Sequence, residues 1–283
     1  MQIPEIPESL TDCAFIVLTT ADAEHKAELS RAFISAWKER RIKTIGTAAL
    51  PDRPARPEKP ELLDPRDMPK RRKGGSDKTK AALLHALAHI ELNAIDLAWD
   101  VMARFSNLSW QSTQNKNDFK LPKSFYNDWC KVADDEAKHF LMLNKRMKDF
   151  NAEYGSFPAH DGLWESAVKT AHDFPARLAV VPMVLEARGL DVTPGLIDQM
   201  RMQGDEETAR LFQIIHDDEI THVRAGTVWF EAWCDYYKLD IEKTWQDLVV
   251  TYFNGRLKRP FNDPSRLEAG MLKHWYEPLA DSF

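Results

Sequence analysis

Apolar residues recur at three- and four-residue spacing along most of this chain, a period that predicts helices rather than strands. Ser9 to Thr20, with Leu10, Phe15, Ile16, Val17 and Leu18, and Ala21 to Arg40, with Leu29, Phe33, Ile34 and Trp37, read as two short helices. Ser76 or Asp77 can cap the next helix. It runs to about Phe105 on a stripe of Leu84, Leu87, Ala88, Glu91, Ala94, Ile95, Ala98 and Met102, in which Glu91 is the only charge. Another starts near Ser124 and ends before Gly155, with Val132, Ala133, Glu136, His139, Phe140, Leu143 and Met147 on its stripe. A further helix begins between Leu163 and Asp173 and contains Pro182; Gly189, Pro194 and Gly195 break it, and Leu196 to Met202 continue it briefly. A long helix from about Asp205 to Tyr237 turns Leu211, Phe212, Ile215, Glu219, His222, Val223, Gly226, Phe230 and Trp233 inward. Residues 240–255 read as one more helix, and the tail from Arg256, with Pro260, Pro264 and Pro278, as an irregular wrap.

Breaks in the pattern divide the chain. Pro51, Pro54, Pro57, Pro60, Pro65 and Pro69 forbid regular helix and bias their neighbours to extended backbone. The expected organisation is a helical extension at 1–47, a Pro-rich arm at 48–76, a helical core at 77–237, and a last helix with tail at 238–283. The arm ends in Lys70-Arg71-Arg72-Lys73, read as a solvated basic turn, with a phosphate or RNA contact as the alternative. Ser106 to Lys123, rich in Ser, Asn and Gln, reads as a long connection.

Composition narrows the class. With 43% hydrophobic and 29% charged residues and a formal charge of −6, the chain reads as a soluble globular protein without a generally nucleic-acid-seeking surface. No apolar run approaches the ~18–20 residues of a membrane span, and the start shows no secretory pattern. Cys13, Cys130 and Cys234 lie far apart, so a disulfide frame or zinc knuckle is not expected and a cytoplasmic location fits.

The chemistry lies in a repeated motif. Glu136-Ala137-Lys138-His139 and Glu219-Ile220-Thr221-His222 are two copies of Glu-x-x-His on apolar stripes, each directly after an aspartate. Residues i and i+3 of a helix are roughly 5–6 Å apart at Cβ, so a carboxylate and an imidazole can reach one metal ion. Glu91 and Glu186 supply two more carboxylates, one before the first copy and one between the two. Counted along their helices, Glu91, Glu136, His139 and Glu219 lie roughly 12–15 residues from an end, which at ~1.5 Å per residue places them on one level with neighbouring helices antiparallel. Four buried carboxylates would not ionise together without cations. Four carboxylates and two imidazoles suit iron or manganese rather than a closed tetrahedral zinc site. Metal-bound histidines usually donate their second ring N–H to a carboxylate, so Asp218 is expected to serve His139 and Asp135 to serve His222. His216 is read as a polar neighbour rather than a seventh ligand, His85 and His89 as hydrogen bonders of the core, and Trp99, Trp129, Trp229 and Trp233 as core. Pro182, one turn before Glu186, predicts a bent or irregular helix between Leu178 and Glu186.

The order Glu91, Glu136/His139, Glu186, Glu219/His222 resembles that of the ferritin-like di-iron carboxylate superfamily. With Ile45-Gly46-Thr47, Pro51-Asp52-Arg53-Pro54, the run His85–Leu97 and Pro260-Phe261-Asn262, nearly the whole chain looks like an uncharacterised bacterial ferritin-like family known by a domain-of-unknown-function label. More distantly, the ligand order is similar to that of the tRNA-modifying di-iron hydroxylase. The resemblance implies an all-α, ferritin-like antiparallel four-helix bundle at 77–237, extended as described above. It implies two iron ions, manganese also being possible, with Glu136 and Glu219 bridging, Glu91 and Glu186 terminal, and one histidine per ion. The expected function is an oxidoreductase activating dioxygen or peroxide on an unknown substrate, the metal centre itself being the catalyst. No flavin, nicotinamide or iron–sulfur motif is present, so a separate electron donor is expected. Metal storage, a tRNA-modifying hydroxylase contacting RNA through Lys70–Lys73, and a binding bundle with structural metal are the alternatives.

Overall fold

Short polar side chains set most of the helix starts. The computed structural model describes residues 5–69, 75–107, 119–253 and 256–280. Within them the fold is all-α, with isolated β-bridges and no strand. The helices are α1 (Leu10–Thr19), α2 (Ala23–Lys38), α3 (Asp77–Arg104), α4 (Lys123–Lys148), α5 (Gly162–Lys169), α6 (Phe174–Val180), α7 (Ala187–Met202), α8 (Glu206–Tyr237), α9 (Ile241–Tyr252), α10 (Asp263–Glu268) and α11 (Lys273–Tyr276). Ser9, Asp22, Asp173, Asp205 and Asp240 each accept the N–H three residues on, at 2.7–3.1 Å, and so start α1, α2, α6, α8 and α9. The basic turn Lys70–Lys73, and with it the expected RNA contact, lies outside the described residues, as does most of the Ser-, Asn- and Gln-rich connection.

The chain forms two compact units, Met1–Asn107 with Tyr126–Glu165, and Leu108–Phe125 with Ser166–Phe283. In the first, α3 is the axis. It is the helix among the described residues that is long and apolar enough to cross a membrane, yet 72% of its apolar window is buried inside the protein. Every residue from Glu91 to Ala103 is buried. The single stripe expected from sequence is therefore too narrow, and Asp96 and Asp100 go inside as well. The reason is cover from several sides: α1 and α2 pack on α3, Cys130 of α4 meets Met102, and His139 of α4 meets Glu91. Those two contacts make α3 and α4 antiparallel.

The Pro-rich segment supplies further cover. Its carbonyls need donors that prolines cannot give, and side chains provide them. Arg104 donates to Pro51 O at 3.3 Å, Trp164 Nε1 to Asp52 O at 3.2 Å and Lys26 Nζ to Ala55 O at 3.0 Å. Arg53 pairs with Asp161. Lys26 Nζ also lies 2.7 Å from Asp96 Oδ1, Arg56 pairs with the same carboxylate, and Arg56 Nη2 donates to Asn93 at 2.8 Å. Farther on, Ala159 N–H meets Glu61 O at 2.9 Å and Leu63 N–H meets Ala159 O at 2.8 Å. The segment is a strap fastened along its length. Gly46 turns with φ +77°, and a Cβ there would stand 2.5 Å from Ser9 Cβ. His85 accepts the Gly155 N–H at 3.0 Å, and His89 lies between the Tyr154 hydroxyl and the His160 carbonyl. Burial lowers both imidazoles to about 4, which keeps them neutral.

In the second unit, α6 starts afresh after the end of α5. Asp173 caps it and Pro175 occupies its first turn, a position where the missing N–H costs nothing. The buried Arg177 reaches back to Thr170 Oγ1 at 2.9 Å and Ala167 O at 2.7 Å. Next comes a π-helical turn, Val181–Glu186, closed by Ala187 N–H on Pro182 O. Pro182 has no N–H for Leu178, and the irregularity expected there takes this form. The proline ring packs where Gly226 of α8 has no side chain, since a Cβ at 226 would lie 2.5 Å from Pro182 Cγ. Helix α7 then runs unbroken through Gly189, Pro194 and Gly195, against the expected break. Packing on α8 holds it. The Leu190 carbonyl, which Pro194 cannot serve, accepts Asn262 Nδ2 at 3.1 Å. The tail is also more regular than expected: α10 packs on α7 and α8, and α11 on α9.

Three substitutions test this account. Gly226→Ala is expected to lower stability by ~1–3 kcal/mol in urea unfolding, because the added methyl overpacks the proline ring; Pro182→Ala in the same chain is expected to recover only part of the loss, because its Cβ would still lie 2.6 Å from the added methyl. Asp96→Asn is expected to cost ~3–5 kcal/mol by the same measurement, because it leaves the Lys26 ammonium buried without its counter-charge.

Candidate metal centre

Glu136 and His139 are three residues apart on α4 and so share one face, and neither has any exposed surface. On α3, Glu91 is 3% exposed. His139 Nδ1 lies 3.2 Å from Glu91 Oε2 and 3.6 Å from Glu136 Oε2. A donor atom from each of the three lies within 4.8 Å of the others, close enough to hold a metal ion. Burial pushes the Glu91 carboxyl well above the ordinary carboxylate range. The Glu136 charge and a hydrogen bond to Glu136 push it the same way, and His139 opposes in part. Two carboxyls this close inside the protein keep both charges only if a cation joins them. The donor set of two carboxylates and an imidazole therefore fits a metal ion.

The second unit presents a matching pair. Glu219 and His222 are buried on α8, with His222 Nδ1 3.6 Å from Glu219 Oε1. Glu186, half-buried, is the last residue of the π-helical turn. His216, one turn before Glu219, meets Ser265 Oγ through Nε2 at 3.3 Å.

Residues 19–277 match the family described as "Protein of unknown function (DUF455)". The chain belongs to that family. It is similar to an uncharacterized protein of Haemophilus influenzae, 41% identical over 218 residues, which is 77% of this chain and 73% of the other. No solved structure matches it. All six expected ligands of this DUF455 chain fall inside the matched span.

The structure thus brings Glu91, Glu136 and His139 together in one unit and Glu219 with His222 in the other. Asp135, next to Glu136, carries Lys131 at 2.5 Å and Lys138 at 3.2 Å. Asp218 is half-buried beside Glu219. Sequence reading missed the buried cations around Asp96. Lys26 lies on another helix and Arg56 in the strap, so no helical period relates them to it.

The Glu91 shift has a measurable sign. In chelator-treated protein, folding takes up a proton at this carboxyl, so its contribution makes stability fall as pH rises above the ordinary value of 4.5. Glu91→Gln is expected to remove that slope and to raise the melting temperature of the metal-free protein at pH 7. Parallel melting curves for wild type and variant between pH 5 and roughly 8 would contradict the assignment of a protonated Glu91.

Proposed function

We propose that this protein holds a pair of iron or manganese ions through Glu91, Glu136, His139, Glu186, Glu219 and His222, in a ferritin-like arrangement, and acts as an oxidoreductase. The observation that carries the reading is the buried Glu91–Glu136–His139 cluster, whose donor atoms lie within 4.8 Å of one another. The repeated Glu-x-x-His and the intervening Glu186 support extending the set to six. Bound iron or manganese supplies activation of dioxygen or peroxide for the oxidation of an organic substrate.

The chain's own contributions follow from its residues. Glu136 and Glu219 would bridge the ions, and Glu91 and Glu186 would each bind one. His139 presents Nδ1 towards the carboxyls, which leaves Nε2 for an outer acceptor, a role we assign to Asp218, with Asp135 serving His222. Apolar walls of Ala88, Leu92, Ala133, Ala137 and Phe140 exclude water around α3 and α4. Electrons are assigned to a separate cytoplasmic donor.

Metal analysis and an optical spectrum of aerobically purified protein test the proposal, with about two metal ions per chain expected from the ligand count. Glu136→Ala and Glu219→Ala are each expected to abolish binding of the pair. Retention of two tightly bound ions by both variants would show that the ligands are wrongly assigned.

A further inference from the structure

Glu186 sits where the backbone is least regular, and the structure fixes that stretch from an unexpected direction. Downstream of the π-helical turn, four residues of α7, Ala187, Arg188, Leu190 and Asp191, are tied to the segment Lys258–Arg266. Arg266, 2% exposed, forks onto the buried carboxylate of Asp191, with Nε 2.8 Å from Oδ1 and Nη2 2.7 Å from Oδ2. The same Nη2 lies 3.5 Å from Ala187 O. Ala187 is the residue whose N–H closes the π-helical turn. Arg188 Nη1 donates to Lys258 O at 2.8 Å and to Pro260 O at 3.1 Å. Asn262 donates its backbone N–H to Asp191 Oδ1 at 2.9 Å and its amide to Leu190 O at 3.1 Å, while its side-chain oxygen caps α10 by accepting from Ser265 N–H at 3.3 Å. The Arg266 guanidinium lies over the Phe261 and Tyr276 rings, 4.9 and 4.6 Å from their centroids. This gives Pro260-Phe261-Asn262 a physical meaning that neither the fold class nor the metal ligands require.

A clamp of this kind is stronger than the packing of a tail needs. A bidentate Arg–carboxylate pair fixes direction as well as distance. Here it acts through Asp191, about one turn beyond Ala187, on the far side of the π-helical turn from the wedge formed by Pro182 against Gly226. A π-helical turn carries one residue more than the α-helical register, and it can migrate along a helix unless both ends are held. The upstream end is held by the proline, and the downstream end by Arg266 and Asn262.

We propose that Arg266 and Asn262 are positioning residues for Glu186: by locking Ala187, Leu190 and Asp191 they fix the register of the π-helical turn and so direct the Glu186 carboxylate to the metal pair. This rests on the ligand reading given above. Co²⁺ titration of the full chain, followed by the visible absorption of the bound ion, tests it in wild type, Glu186→Gln, Arg266→Lys and Asn262→Asp. Asn262→Asp keeps the α10 cap and replaces the amide donor to Leu190 O with a carboxylate oxygen that repels that carbonyl. Arg266→Lys keeps the charge and removes the fork. Each is expected to weaken Co²⁺ binding by ~10–100-fold, the range for residues that orient metal ligands, and to change the visible band. Hydrogen exchange is expected to quicken over Val181–Leu190. A lower melting temperature with wild-type Co²⁺ affinity and band would mark a purely structural contact and overturn the proposal. If Glu186→Gln alone binds Co²⁺ poorly and Asn262→Asp binds as wild type, the clamp fails and the ligand reading stands. If Glu186→Gln binds as wild type, both fail.

Discussion

A carboxylate taken out of water beside another carboxylate is the constraint on which the first unit turns. The energetic cost of charging Glu91 next to Glu136 is large in a low-dielectric interior, and His139 opposes that cost only in part. The contrast with Asp96, five residues farther along α3, is instructive. There the chain supplies two cations of its own, Lys26 and Arg56. The same helix thus buries negative charge in two settings, once beside internal counter-charges and once in a Glu/His cluster whose donor atoms could hold a metal ion.

The second unit depends on backbone rather than charge. Two prolines that a helix should reject are both accommodated by partners far off in sequence. Pro182 is absorbed by a change of helical register and by the missing side chain of Gly226; Pro194 is absorbed because Asn262 serves the carbonyl it strands. Each is a local defect repaired by tertiary structure, and the repairs meet around the stretch that carries Glu186.

Much of this was legible in the sequence, for identifiable reasons. The extents of α1 to α4, α8 and α9 follow from apolar period, whereas the cap expected for α3 is not made: Ser76 precedes that helix without a side-chain cap hydrogen bond. The irregular backbone at Pro182 follows from the missing N–H. The approach of Glu91 to Glu136 and His139 follows from their stripes. What stayed hidden depended on contacts between distant segments. Pro194 and Gly195 read as a helix break because their rescue comes from residue 262. The region 48–69 read as an arm or linker because nothing local marks Lys26, Arg104 and Trp164 as its anchors. Asp96 and Asp100 escaped notice because a stripe on one face says nothing about a helix covered on several. In the tail, α10 was obscured by Pro264, which sits in its first turn, where proline is acceptable.

The strap also bears on how this protein can be shortened. A chain trimmed to begin at α3 would keep every residue of the proposed ligand set, and by motif alone would look complete. It would also leave Asp96 as a bare buried anion and Trp99 without Ser30, which accepts its indole N–H at 2.8 Å. Asn144 would in turn lose Glu24, its partner at 2.7 Å. The N-terminal third is thus structural mortar for the very helix that carries Glu91. Any minimal fragment cut by motif would expose the interior it was meant to preserve.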